Sequence, residues 1–166
     1  MPDGTELCTV GHKFFIRLLN EEDPLHENAL GYFRYFLEHD FVIKISTIAI
    51  AEYCVKGEVS ELPLKNMLIV PFNFDHAQRS GKMIAEVYAE KKRRGATIAP
   101  RAVVPNDTKM FAQADVEPDI NFYGTADVES KKVYDMIKTS ESKLSFKFID
   151  ITIPYNTFFG EFLFEE

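Results

Sequence analysis

Five short apolar, largely β-branched runs, each followed by a stretch with helical spacing, constrain this chain more than any other feature. ELCTV (6–10), FVIKI (41–45), LIVPF (68–72), INFY (120–123) and FKFIDITI (146–153) read as strands. Between them apolar residues recur three and four apart: FFIRLLN at 14–20, then Leu30, Phe33, Phe36 and Leu37 within 25–38. Met83, Ile84, Val87 and Tyr88 lie in a long helix starting at Asp75 or His76, and Val133, Met136 and Ile137 lie in a later one. Strands that alternate with helices indicate an α/β fold with a parallel sheet covered on both faces. Ser46-Thr47 is a natural cap for the helix after the second strand. Pro71 points to an edge position or an end for the third strand. Residues 59–67 are expected to form a short helix, and 96–105, with Pro100 and Pro105, a loop.

The length of 166 residues fits one domain spanning 1–166, and fifteen Phe and seven Tyr supply ample apolar volume for one core. A net charge of -7 argues against whole-surface attraction to nucleic acid but is compatible with carboxylates gathered around a metal ion. No apolar run approaches the roughly 18–20 residues of a membrane span, and no basic-then-apolar leader opens the chain, so a cytoplasmic protein without membrane contact is expected. Cys8 and Cys54 are in neither a CxxC pair nor a spaced Cys/His set, which argues against structural zinc; both are expected to be buried thiols.

The segment NDTKMFAQADVEPDINFYGTAD, residues 106–127, concentrates the chemistry. A helix opening on Asn106-Asp107 and burying Met110, Phe111 and Ala114 presents Asp107 at its exposed N-terminal end, where the positive pole favours a carboxylate. The following strand ends at Gly124, Thr125 and Asp127, so a second acid stands at the C-terminal edge of the sheet, where ligands bind in open α/β folds. Two acids brought together repel unless a cation lies between them, which points to a hydrolytic metal site.

STIAIAEYCVKG (46–57), the Asn106-Asp107 pair and YGTAD (123–127) resemble the second, third and fourth acidic motifs of the PIN domain, and FIDITIPYNTFFG (148–160) is similar to its closing strand and tail. The resemblance implies a three-layer α/β/α sandwich with a five-stranded parallel sheet. It further implies acids that hold Mg²⁺ or Mn²⁺ to cleave RNA, in many members as dimeric toxins paired with an antitoxin protein. Carried over by position, Glu52, Asp107 and Asp127 are the catalytic and metal-binding acids, and Thr125 is the small hydroxyl residue two before the last. The first motif departs: Gly11, His12 and Lys13 stand where PIN proteins carry Asp, then Thr or Ser, then often Asn, so the leading ligand is absent and a second metal site with it.

Each residue also has a plain reading. Glu52 can pair with Lys56 on its own helix, and Asp127 can cap the helix starting at Val128. His12 can bind a transition metal, bind phosphate when protonated, or face solvent, and solvent is the expectation. Lys13 can replace the cation with a metal-free salt bridge to Glu52 or Asp127, which keeps the fold and ends catalysis, leaving an RNA-binding or protein-interaction module. Lys91 to Arg94 form a basic run expected on a solvated face, although with Arg101 it could touch RNA phosphates. Phe158 and Phe159 are expected to pack on the core.

Overall fold

The computed structural model describes residues 6–95, 103–140 and 143–162. Strand β1 (Leu7–Val10) leads into helices α1 (His12–Leu19) and α2 (His26–Glu38). Next come β2 (Val42–Ser46), α3 (Thr47–Tyr53), β3 (Met67–Val70) and α4 (Phe74–Arg93). The chain continues through α5 (Val103–Val116), β4 (Phe122–Thr125), α6 (Val128–Thr139), β5 (Lys147–Asp150) and α7 (Tyr155–Phe162). The five strands pair only in parallel, in the order β3-β2-β1-β4-β5.

Alternation along β4 shows how the two faces are filled. Phe122 turns to one face, where its ring meets Phe41, Phe158 and Phe159. Tyr123 turns to the other, edge-on to Phe111 of α5 at 4.9 Å. On the first face α7 is clamped to α2, with Tyr35 stacked on Phe159 at 4.1 Å and the Tyr32 hydroxyl donating to the Ile153 carbonyl. Phe14, Phe15, Phe36 and Phe111 are fully buried, and each such ring contributes about 1.5–3 kcal/mol by leaving water. The layered α/β/α architecture and its five parallel strands match the expectation, as does the packing of Phe158 and Phe159 against the core.

Local chemistry sets most boundaries. The Ser46 hydroxyl accepts from the Ile48 N–H and starts α3 one residue after the strand. Asn73 and His76 cap α4 reciprocally. Edge strand β3 stops before Pro71, which lacks the N–H a neighbouring strand would need.

Three expectations require correction. The helix expected over 59–67 is instead two 3-10 turns, Val59–Glu61 and Leu64–Asn66, because Pro63 interrupts the helical hydrogen bonds. Of the loop expected over 96–105, residues 96–102 lie outside the described residues, and 103–105 are helical. Helix α5 already begins at Val103, and Pro105 is tolerated in its first turn, where an N–H has no helical acceptor. Cys54 is exposed at the end of α3, whereas Cys8 is buried.

Candidate active site

From β1 the chain builds outward through β2 and β3 on one side, while β4 and β5 lie on the other. Loops leaving the C-terminal ends of β1 and β4 therefore diverge and open a crevice, the usual ligand site of a parallel sheet. His12 and Lys13 follow β1 into it, and Thr125 and Asp127 follow β4. Glu52 comes from α3, directly after β2, and Asn106 and Asp107 come from α5. The crevice continues into a cleft of about 680 Å³ lined by His12, Glu52 and Asn106 together with apolar Ile16, Tyr53 and Val55.

Glu52 is held from two sides. Its Oε1 accepts from Asn106 Nδ2 at 2.8 Å, and its Oε2 lies 2.8 Å from His12 Nδ1. That second contact is an ion-pair distance without hydrogen-bond alignment, so the buried Oε2 has no hydrogen-bond donor. His12 is 22% exposed and turned towards Glu52, which corrects the expectation that it faces solvent. Glu52 meets His12 and Asn106 because α1 and α5 converge on α3, a tertiary placement that the Glu52/Lys56 spacing could not reveal.

Asp107 is 7% exposed, not presented at an open helix end. The early start of α5 moves it more than one turn into the helix, where α6 covers it and Ser130 Oγ donates to its Oδ1 at 2.8 Å. Its Oδ2 is buried and has no hydrogen-bond donor. Burial lifts the carboxyl to a pKa of about 6; the Ser130 hydroxyl opposes this, the charges of Asp127 and Glu52 add to it, and Lys13 opposes it. The mutual influence places all three acids in one electrostatic neighbourhood.

Asp127 caps α6 by accepting from the Glu129 N–H at 3.0 Å and pairs with Lys13 Nζ at 2.6 Å. Burial works upward on its pKa, but the Lys13 bond, the Glu129 N–H and the charges of Lys13 and His12 prevail and hold it below the usual value. Thr125 is 3% exposed, and its hydroxyl accepts the Asp127 N–H at 3.1 Å, so it shapes the turn that aims Asp127. Arg101, expected at a phosphate, lies outside the described residues. The nearby basic run is internally paired: Glu90 receives both Arg93 and Arg94 at 2.6 Å, and Lys91 is buried.

Two participants were missed in the sequence. Ser130, the donor to Asp107, follows Asp127 by three residues, a spacing that places it in the first turn of α6. Tyr123 left no such signal. A Cβ built on Gly11 would stand 3.0 Å from Tyr123 Oη and 3.7 Å from Thr125 Oγ1, so the phenol occupies the space a side chain at position 11 would need. Only the register of β1 against β4 creates that approach.

Two buried carboxylate oxygens without donors, Asp107 Oδ2 and Glu52 Oε2, fit a hard, oxygen-seeking divalent cation. Among the described residues no three His, Cys, Asp or Glu side chains already stand in coordinating positions. An ion shared by all three acids therefore requires Asp127 to leave Lys13. Also among the described residues, no helix is long and apolar enough to cross a membrane.

No family model matches the chain, and no curated protein sequence does. Solved structures do. The chain is similar at a TM-score of 0.54 and 19% identity to a structure of VapBC2 from Rickettsia felis bound to a promoter DNA fragment, over 87% of this chain and 99% of the other. Similarity to VapC20 of Mycobacterium tuberculosis, a toxin that cleaves the sarcin-ricin loop, has a TM-score of 0.52 at 13% identity, over 75% and 93% of the two chains. DNA-bound VapBC from Salmonella typhimurium gives 0.51 at 12% identity, over 87% and 98%. The fold is PIN-like, that of VapC toxins.

Proposed function

We propose that this chain is a ribonuclease of the VapC kind, cleaving RNA phosphodiester bonds at the Glu52, Asp107 and Asp127 pocket with Mg²⁺ or Mn²⁺. The reading includes an antitoxin protein as partner, a homodimeric assembly and a cytoplasmic setting. The observation that carries it is the convergence of three acids, distant in sequence, on the β1/β4 crevice, two of them with a buried oxygen lacking any hydrogen-bond donor. Support also comes from the similar structures, one of a toxin that cleaves the sarcin-ricin loop and two of VapBC assemblies.

Glu52, Asp107 and Asp127 would hold the divalent cation, which when bound would supply a water of lowered pKa and offset charge on the phosphoryl oxygens. The chain's own residues do the rest. Ser130 and Asn106 fix the orientations of Asp107 and Glu52. Lys13, 40% exposed, and His12 line the rim with positive or hydrogen-bonding groups able to receive a phosphate, which an all-acid pocket would repel. The test is thermal melting with and without Mn²⁺. Binding to the folded state alone raises stability by about 1.4 kcal/mol at tenfold excess over the dissociation constant, and Asp107→Asn abolishes the rise.

One observation favours a second reading. The Lys13–Asp127 pair and the His12–Glu52 contact already place basic side chains against two of the acids, so the domain can act as a non-cleaving RNA-binding or protein-interaction module. RNA that is bound but stays intact with Mn²⁺ present selects this reading; metal-dependent cleavage rejects it.

A further inference from the structure

Three acids do not make three equal ligands here. Asp107 is 7% exposed and has one oxygen satisfied by Ser130 and one without a donor. Glu52 has Asn106 on one oxygen, while the other, which accepts no aligned hydrogen bond, has the neutralisable imidazole of His12 at 2.8 Å, a weaker competitor for a cation than the fixed ammonium that Asp127 holds. Asn106, the neighbour of Asp107 on α5, ties the two carboxylates to one side of the crevice. Asp127 differs. One of its oxygens caps α6 and the other holds Lys13 Nζ at 2.6 Å. Across the crevice, where a side chain at position 11 would otherwise project, stands the Tyr123 hydroxyl. Its hydrogen bond goes to Met110 Sδ at 3.6 Å, and burial with three neighbouring carboxylates keeps the phenol protonated. A neutral donor in that position is a poor ligand for a divalent cation.

We propose that the pocket takes one divalent cation, between Asp107 and Glu52, and that the Lys13–Asp127 pair and the Tyr123 hydroxyl occupy the places where a second ion would need ligands. The inference rests on the metal-dependent reading above and sharpens it: Asp127 organises the pocket and is not a principal ligand. Lys13 then acts as a fixed competitor. Its ammonium lowers the local negative potential, and its removal frees a carboxylate oxygen beside the ion.

The test is Mn²⁺ binding to the purified chain, followed by calorimetry for affinity and by electron paramagnetic resonance of free Mn²⁺ for stoichiometry, without RNA. The expected result is one Mn²⁺ per chain. Asp107→Asn and Glu52→Gln each weaken binding by at least about tenfold, as loss of an ion's immediate environment does, whereas Asp127→Asn weakens it by less than about threefold. Lys13→Met tightens binding several-fold, a gain that misfolding cannot imitate. Two ions per wild-type chain, an Asp127→Asn loss equal to that of Asp107→Asn, or no gain in Lys13→Met overturns the one-ion inference and leaves the metal-dependent reading standing. No Mn²⁺ bound by wild type or by Lys13→Met overturns both.

Discussion

The tight space between Gly11 and the Tyr123 hydroxyl gives a prediction whose sign can be worked out in advance. Gly11 has φ -78° and ψ 164°, a conformation open to any residue, so alanine there pays no backbone penalty. It stabilises by about 0.4–1 kcal/mol through a less flexible unfolded chain. The added Cβ, however, meets Tyr123 Oη at 3.0 Å in a position where the ring is 1% exposed and packed against Phe111. Overpacking of that kind costs about 1–3 kcal/mol. Gly11→Ala should therefore be destabilising in the wild-type background, by roughly 0–2.5 kcal/mol from these two ranges. Tyr123→Phe deletes the one atom in the way and loses only a weak bond to sulfur. In that background Gly11→Ala should become stabilising by about 0.4–1 kcal/mol. Urea unfolding of the four proteins, followed by far-ultraviolet circular dichroism, measures the coupling directly. Equal effects of Gly11→Ala in both backgrounds would refute the idea that the phenol has taken the space at position 11.

Three further outcomes follow from the same geometry. Asp107 has a folded pKa of about 6 against an ordinary 3.8, so the fold binds its proton more tightly than the unfolded chain does. Its favourable contribution is complete below pH 4 and is lost as pH rises through 6; about two units correspond to roughly 3 kcal/mol. With chelator present, Asp107→Asn should gain stability relative to wild type between pH 4 and pH 8, and parallel pH–stability curves for the two proteins would contradict the burial argument. Ser46→Ala removes the hydroxyl that caps α3 and should lower stability by about 1 kcal/mol, checked by the same urea titration. Phe159→Ala, which strips the ring stacked on Tyr35, should cost about 2–3 kcal/mol, less than a fully buried Phe because α7 packs on the surface of the core.

Much of the fold was legible because its rules are local. Period-two and period-3.6 patterns located the strands and long helices, Ser46 marked the start of α3, and Pro71 marked an edge or an end for β3. The cap at Asp127 was legible as one of two readings, cap or ligand, because an Asp directly before a helical run suits an N-cap. What was not legible depends on contacts across the sheet. Nothing near Asp107 in sequence announces that Ser130 covers it, and its burial reverses the expectation of an exposed helix-end acid. His12 reads as a solvent residue until α1 and α3 are laid side by side. The Gly11–Tyr123 approach exists only because β1 and β4 are neighbours in one register. The two 3-10 turns and α7 were missed because short helices draw stability from tertiary packing more than from their own sequence.

The central claim is metal-dependent cleavage of RNA at the acid pocket, and its most direct measurement uses a fluorophore-quencher RNA oligonucleotide with the purified chain in millimolar Mn²⁺. Cleavage should appear with the metal, vanish with EDTA and be lost in Asp107→Asn. An oligonucleotide left intact by wild type in Mn²⁺, or cut equally by wild type and Asp107→Asn, would contradict it.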